Sequence, residues 1–497
     1  MRSRTGDRGF HVTVTDRIAK TDILARASSG SASIHETDVA TISGLQTIIC
    51  LFRFLRDPLA CAQALFEQHG RLVVIEPVAG LPRPRTTIIA VGAVYNRAVL
   101  GNPQVWNTVH HVQRGPKGSA LDRMGGNVIS MNGAPHDHYR KLVAPPIGSA
   151  SVADMGDDIA ALIAEEVARW PLGKVDLWHL AQHLVRSVAI ALLLGGDQAR
   201  GARLAALFGD MLLLSNTAQA RLCPFNVPGL TYARVLKQAD AVERCAHELA
   251  ERKRGSMDNR DLLSLIVNSP DATGAAPAAD DVAGHLPILF ASTYETCQTV
   301  LLWSLVLLAQ HPNVARDLVD EISGARAGEA ATPARVSNLP LLDAVVKESM
   351  RVLPAVPYQV RLATQPTGLG GYDVAAGSHA ILSPFLTNRD PQVYDEPTRF
   401  RPDRWSQINP TPFEYLAFSG GPRMCPGSWF GTAVVKVALA TILSRLRVRI
   451  VPDTRIDYSV AITMKPRKSV AATLHPRDGA WAVAPLKGQI RDIVTWS

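Results

Sequence analysis

Apolar residues along the chain recur mostly at helical spacing, with short continuous or alternating runs between them, a pattern that predicts a mainly α protein with a smaller β-rich part. Helical spacing runs through residues 51–58 with 61–70, and through 159–170, 177–194, 202–214, 233–254, 260–266 and 339–351. A longer apolar helix opens at Asp280-Asp281 and runs to about Gln310, with Ser292-Thr293-Tyr294-Glu295-Thr296-Cys297 in its middle. From Trp429 onward Phe430, Val434, Val435, Val437, Leu439, Ile442 and Leu443 describe a helix buried on most of its surface. Residues 71–75 and 86–91 read as paired strands, and 448–451 and 461–466 as terminal ones. Glycine and mixed polar residues make 106–127 an irregular loop. Pro224 and Pro228 make 216–230 either a lid or a plain helix connection, and 269–279 is an exposed connector. Residues 1–40 are polar, lack the apolar core of a secretion signal and read as a flexible extension or an overlong start, which leaves 41–497 as one domain.

Composition narrows the class. With 497 residues and 47% hydrophobic content the chain can bury a large core. Its most apolar early run, 45–55, is broken by Arg53 and is far shorter than the roughly 20 residues that cross a bilayer, so no transmembrane segment is expected. The formal charge of +8, from 52 Lys+Arg against 44 Asp+Glu, is dispersed without a basic block, which argues against nucleic acid as a partner. The six cysteines lie far apart with no Cys-x-x-Cys pair. That spacing argues against a zinc ribbon, an iron–sulfur site, c-type haem attachment or a disulfide scaffold, and suits a reducing cytoplasm.

One cysteine stands apart. The stretch Phe418-Ser419-Gly420-Gly421-Pro422-Arg423-Met424-Cys425-Pro426-Gly427 must turn tightly just before a buried helix. Pro426 suits a first helical position, and the free N–H groups of a first turn favour a thiolate at Cys425, which can ligate a metal. A cysteine behind a glycine loop is ordinarily a small buried hydrophobe. Here, however, Phe418-x-x-Gly421-x-Arg423-x-Cys425-x-Gly427 resembles the haem-thiolate loop of the cytochrome P-450 family at every position. The resemblance implies Cys425 as the ligand of haem iron, Phe418, Arg423 and Gly427 against the cofactor, and haem b (iron protoporphyrin IX) as that cofactor. A thiolate ligand pushes electron density onto iron and favours O–O cleavage.

Further stretches carry the resemblance, which covers about Leu51 to Pro476. His136 and Arg140, one turn apart after Met131-Asn132-Gly133-Ala134-Pro135, are by spacing alone an ordinary solvated pair. The resemblance makes them partners of the haem propionates and leaves His138 on the surface. Glu295 and Thr296 are by themselves as readily a satisfied polar patch; the resemblance makes them the acid–alcohol pair that delivers protons during oxygen activation. Ser292 and Thr293 stand where Ala/Gly and Gly are usual, and Cys297 replaces a hydroxyl residue, so a narrowed groove is expected there. Glu348 and Arg351, with Arg404 of Phe400-Arg401-Pro402-Asp403-Arg404-Trp405, would form a structural lock, and Arg361 would be a further propionate partner. Ser292, Val356, Tyr358, Val360 and Ile462 would face the substrate.

The resemblance implies a triangular, helix-rich cytochrome P-450 fold and a haem-thiolate monooxygenase of the soluble bacterial type, likewise cytoplasmic. One oxygen atom of O2 would enter an apolar small molecule by hydroxylation or epoxidation, with terpenoids, steroids, fatty acids and other secondary metabolites all open. The chain has no room for a flavin or iron–sulfur domain. Electrons are therefore expected from a separate ferredoxin or flavodoxin with an NAD(P)H reductase, docked on a basic face around Arg140, Lys141, Arg423 and Lys436 of a monomer. Two alternatives stay open: a peroxide-using or rearranging haem-thiolate enzyme, suggested by Ser292-Thr293, and a haem-binding sensor without turnover.

Overall fold

The computed structural model describes residues 39–78, 85–109, 115–255, 261–268, 277–326, 329–477 and 481–496. The expected extension up to residue 38, Arg260 and most of the connector 269–279 lie outside the described residues. Strand β1 (Ala40–Ile42) begins inside the stretch expected to be extension and pairs in parallel with β2 (Leu72–Ile75). The first expected helix is two helices, α1 (Gly44–Arg56) and α2 (Pro58–His69). Asp57 makes the break, because its carboxylate accepts from the amides of Leu59 (3.2 Å) and Ala60 (3.1 Å) and so caps α2. Pro58 then takes the first position, where its missing N–H costs nothing.

Strands Thr87–Ala90 (β3), Trp106–Thr108 (β4), Gln359–Ala363 (β5) and His379–Leu382 (β6) complete a six-stranded sheet in the order β1-β2-β3-β6-β5-β4. The irregular loop expected over 106–127 is thus corrected: it opens with a strand and contains the short helix Ala120–Gly125. After the sheet's first half come α3 (Gly133–Val143), α4 (Gln198–Ser215), α5 (Thr231–Lys253), α6 (Ala279–Gln310), α7 (Pro340–Val352) and α8 (Ser428–Arg445). The 216–230 stretch between α4 and α5 holds a short helix, Ala218–Leu222, followed by exposed chain.

α6 spans 32 residues, roughly 48 Å at 1.5 Å per residue, and crosses the core. From Val282 to Gln310 it is buried except at Ser292, Thr293, Glu295 and Thr296, so its polar centre faces a gap in the packing. α8 lies against it, and Gly431 permits the approach: a Cβ there would come within 3.2 Å of Cys297 Sγ. Beyond α8, strand β7 (Leu446–Ile450) precedes a hairpin of β8 (Tyr458–Val460) and β9 (Met464–Pro466), and β7 pairs with β10 (Ala471–Pro476). The hairpin is pinned at Met464, whose amide donates to Ala355 O (2.8 Å) and whose carbonyl accepts from Trp303 Nε1 (3.0 Å). It therefore sits where α6 and the exit of α7 converge.

Candidate functional site

The glycine loop closes on itself before the helix starts. The Cys425 amide donates to Phe418 O (2.9 Å), and α8 begins only at Ser428 with Gly427 at its N-cap. Pro426 therefore stands ahead of the helix and not at its first position; Pro422 takes the second position of a 3-10 turn, Gly421–Arg423. Gly421 has φ +67° and its Cβ would lie 2.3 Å from Leu100 O, so no other residue fits. Ser419 adopts φ 63° without being glycine, and its hydroxyl donates to Gln359 Oε1 (2.8 Å), which offsets the strain. Gln359 thus ties β5 to the loop. Its only signal in sequence was a polar residue between Tyr358 and Val360.

Burial pushes the Cys425 thiol up, while the Gly427 amide and Arg140 draw it down. The first-turn effect expected from sequence is present, but burial outweighs it, so a sulfur anion here needs a bound cation. Phe418 is half-buried against the core beside it.

Around the sulfur the fold gathers cations. Arg140 Nη2 donates to Met424 O (2.6 Å), one residue from Cys425. Arg423 Nη2 donates to Thr108 Oγ1 (3.0 Å), Ile129 O (2.9 Å) and Met131 O (2.8 Å). Arg361 donates to Val360 O (3.0 Å) and Gln359 Oε1 (3.2 Å). Burial pushes both Arg361 and Arg423 down to about 10, with the charge of Arg423 adding to the effect at Arg361, and that of Arg140 adding to it at Arg423 against the pull of Asp137. Burial likewise lowers His136, with Arg423 and Arg140 adding to the effect against the exposed Asp137 on its Nδ1 (3.0 Å). Among the described residues no ion pair joins Arg140, Arg361 or Arg423 to a carboxylate. His138, expected on the surface, is half-buried and edge-on to Tyr139.

This arrangement fits haem b. Three partly to fully buried guanidiniums, none paired with a carboxylate among the described residues, suit a dianionic ligand, as two propionates are. Among the described residues no group of three or more His, Cys, Asp or Glu could hold a metal, so iron at Cys425 must bring its other ligands with it, as in a porphyrin.

On α6 the hydroxyls of Ser292 and Thr293 both donate to Leu289 O (2.9 Å each), and Thr296 Oγ1 donates to Ser292 O (2.9 Å). Glu295 accepts from Thr463 Oγ1 (3.4 Å) and pairs with Lys465 (3.6 Å), which links it to the β8–β9 turn. Cys297 points away from the gap into the α6–α8 contact, where burial pushes its thiol up to about 12. Glu348, Arg351 and Arg404 do meet, and Trp405 Nε1 joins them, a partner the sequence reading missed. Tyr358 donates to Ala461 O (2.8 Å) beside Ile462, while Val356 and Val360 are half-buried near it along the chain. The expected basic docking face does not form. Lys436 is 7% exposed and bonded to Asp343 Oδ1 (2.5 Å), and Arg423 turns inward, leaving Lys141 exposed and Arg140 half-buried.

The chain is similar to known proteins over most of its length. The model of the family described as Cytochrome P450 matches residues 98–470. Cyclooctatin synthase of Streptomyces melanosporofaciens is 26% identical over 463 residues, covering 91% of this chain and 97% of that protein. A putative cytochrome P450 135B1 of Mycobacterium tuberculosis is 27% identical over 432 residues, covering 84% and 86%. Among solved structures, the retinoic acid bound cyanobacterial CYP120A1 has a TM-score of 0.75 at 18% identity, covering 88% of this chain and 99% of that one.

Proposed function

The chain belongs to the cytochrome P450 family and is a haem-thiolate monooxygenase, and from that premise we propose that it hydroxylates or epoxidises an apolar small molecule, terpenoids being the first class to test. One observation carries the reading: buried Arg361 and half-buried Arg423, with Arg140 and His136, gather around Cys425, and among the described residues none of the three guanidiniums is paired with a carboxylate, the exposed Asp137 on His136 being the one acid beside them. Cys425 would hold the iron and these four residues the propionates. When bound, haem supplies the redox iron at which dioxygen is activated. The protein's part is proton supply and exclusion of water. Thr296, anchored on Ser292 O, keeps its oxygen free to accept a hydrogen bond at the gap in α6. Glu295, 23% exposed at its side chain and held by Lys465, connects that position to solvent.

Val356, Val360 and Ile462 support an apolar substrate, and the name of the relative matched over 97% of its length makes compounds related to cyclooctatin the first to screen. The ferric protein should shift from low to high spin when a fitting molecule displaces water. Turnover with a ferredoxin or flavodoxin system and NAD(P)H should then place one labelled atom of O2 in the product. A second reading, peroxide use, is favoured by the unbroken α6 at Ser292 and Thr293, whose hydroxyls both bind Leu289 O. Turnover with hydrogen peroxide and none with the electron-transfer system would select it.

A further inference from the structure

Two cysteines that stand 11 residues apart in the chain meet in the fold. Cys50 on α1 and Cys61 on α2 are 7% and 5% exposed, and their sulfurs lie 3.8 Å apart. Cys61 Sγ also donates to the Cys50 carbonyl (3.6 Å), so the backbone of α1 itself stands over the second thiol. Both are free thiols, and neither belongs to the haem site.

The fold holds the two helices in this register. Asp57, at the break between them, caps α2 and accepts from Tyr458 Oη (3.2 Å) and Gln489 Nε2 (3.2 Å), which fixes the bend. Thr47, one turn before Cys50, donates to the carbonyls of Ile42 and Glu76 (3.2 Å each). Phe54, one turn after it, stands edge-on to Tyr358 with ring centroids 6.0 Å apart. Cys50 is therefore on the anchored face of α1, and that anchoring keeps it turned toward Cys61.

The two thiols are not equivalent. The bond from Cys61 draws Cys50 down to about 7 against burial, with Arg53 assisting, while the same bond and burial push Cys61 up. A thiol that ionises near neutral pH beside one that stays protonated is the pair that thiol–disulfide exchange uses. We propose that Cys50 and Cys61 form a redox-modification site whose oxidant is a low-molecular-weight disulfide. The Cys50 sulfur attacks one sulfur of that disulfide and releases the other half as a thiolate. Cys61 then attacks the Cys50 sulfur, which forms the Cys50–Cys61 bond and releases the second half. The two cysteine protons end on the two released thiols, and the two electrons lost by the pair reduce the oxidant. The sulfurs must close from 3.8 Å to about 2.05 Å, and the bond ties α1, with its Phe54–Tyr358 contact, to α2. Access comes with local opening of α1, a helix at the surface whose Leu45, Leu51 and Phe52 are exposed.

Glutathione disulfide added to the full-length, haem-loaded protein tests this. Trypsin cuts after Arg53 and Arg56, so a link between the two sulfurs leaves the Cys50 and Cys61 peptides joined, and dithiothreitol should separate them. The exposed Cys223 takes up glutathione in the same reaction and reports that the reagent has acted. Cys61→Ser should stop at a glutathione adduct on Cys50, and Cys50→Ser should leave Cys61 unmodified. Both variants should keep the reduced carbon-monoxide spectrum of the wild type. The proposal is overturned if Cys223 is modified while Cys50 and Cys61 of the folded wild type stay reduced, or if joined peptides form only after unfolding. It is also overturned if Cys61→Ser carries no adduct on Cys50.

Discussion

Replacing Glu348 by glutamine keeps the shape of the side chain and removes only its charge, which makes it a sharper probe of the buried ion cluster than truncation. Glu348 and Arg351 are fully buried at their side chains and Arg404 is 4% exposed. Glu348 Oε1 accepts from Arg351 Nη2 (2.9 Å), the Arg401 amide (2.8 Å) and Arg404 Nε (3.0 Å). Its Oε2 accepts from Arg351 Nε (2.9 Å) and Trp405 Nε1 (3.0 Å). A glutamine presents an NH2 where one oxygen stood, so in either orientation it meets at least two donors with a donor. It also leaves two guanidiniums in the interior without their counter-charge. Breaking a buried pair in this way costs about 3–5 kcal/mol, against a total stability of about 5–15 kcal/mol. The denaturant midpoint should fall by about a fifth or more, and most of the purified protein should lack haem. Arg351→Lys should be nearly as damaging, because Arg351 also donates to the carbonyls of Asn388 (2.9 Å), Pro397 (2.7 Å) and Arg399 (2.8 Å), and an ammonium has too few donors for that set. Urea titration followed by haem absorbance and tryptophan emission reads both effects. A Glu348→Gln protein that holds haem and unfolds within about 1 kcal/mol of the wild type would refute the reasoning.

Arg361→Leu should split two readouts of opposite sign: haem retention falls, while the haem-free protein gains about 1–3 kcal/mol in denaturant stability. His285 is buried on α6, its Nδ1 accepts from the Val128 amide (3.1 Å), and burial pushes it from 6.5 down to about 4. A base with a depressed folded pKa contributes stability that is whole above about 6.5 and is lost as pH falls through about 4, approaching about 3 kcal/mol. Urea midpoints at neutral and acid pH should therefore fall less steeply for His285→Gln than for the wild type. Thr296→Ala should lower product formation about 100-fold while NAD(P)H is still consumed, and Thr296→Ser should restore much of it.

What was legible in the sequence was whatever local chemistry decides. The turn at Gly421 and the burial of α6 and α8 follow from backbone sterics and composition over one stretch, and both stand where the residues placed them. The break between α1 and α2 was also written locally, in Asp57-Pro58, but an apolar run across it concealed the cap. Other features depend on residues far along the chain. β4 is three residues long and exists because Trp106, Asn107 and Thr108 pair with Ala363, Leu362 and Arg361. Lys436 read as a surface charge, yet Asp343, on a different helix, draws it into the core. Arg423 read both against the cofactor and on a docking face; the carbonyls of Ile129 and Met131, which nothing near it in sequence shows, hold it inward and take it off that face.

The two arginine clusters differ in one respect that decides how the protein behaves. At Glu348 the chain supplies its own anion, and every guanidinium there is neutralised or bonded to carbonyls. Beside Cys425, among the described residues, no guanidinium is paired with a carboxylate, and Arg361, 6% exposed, is pushed from 12.5 down to about 10. A displacement of that size corresponds to a cost of about 3 kcal/mol for keeping this one cation charged in the fold at neutral pH. A dianion placed among these residues removes the cost and binds only the folded state, so folding and cofactor capture are one linked equilibrium. The first cluster should therefore set stability whether or not haem is present. The second should weaken the empty protein and strengthen the loaded one, which is why the Arg361→Leu readouts must move in opposite directions.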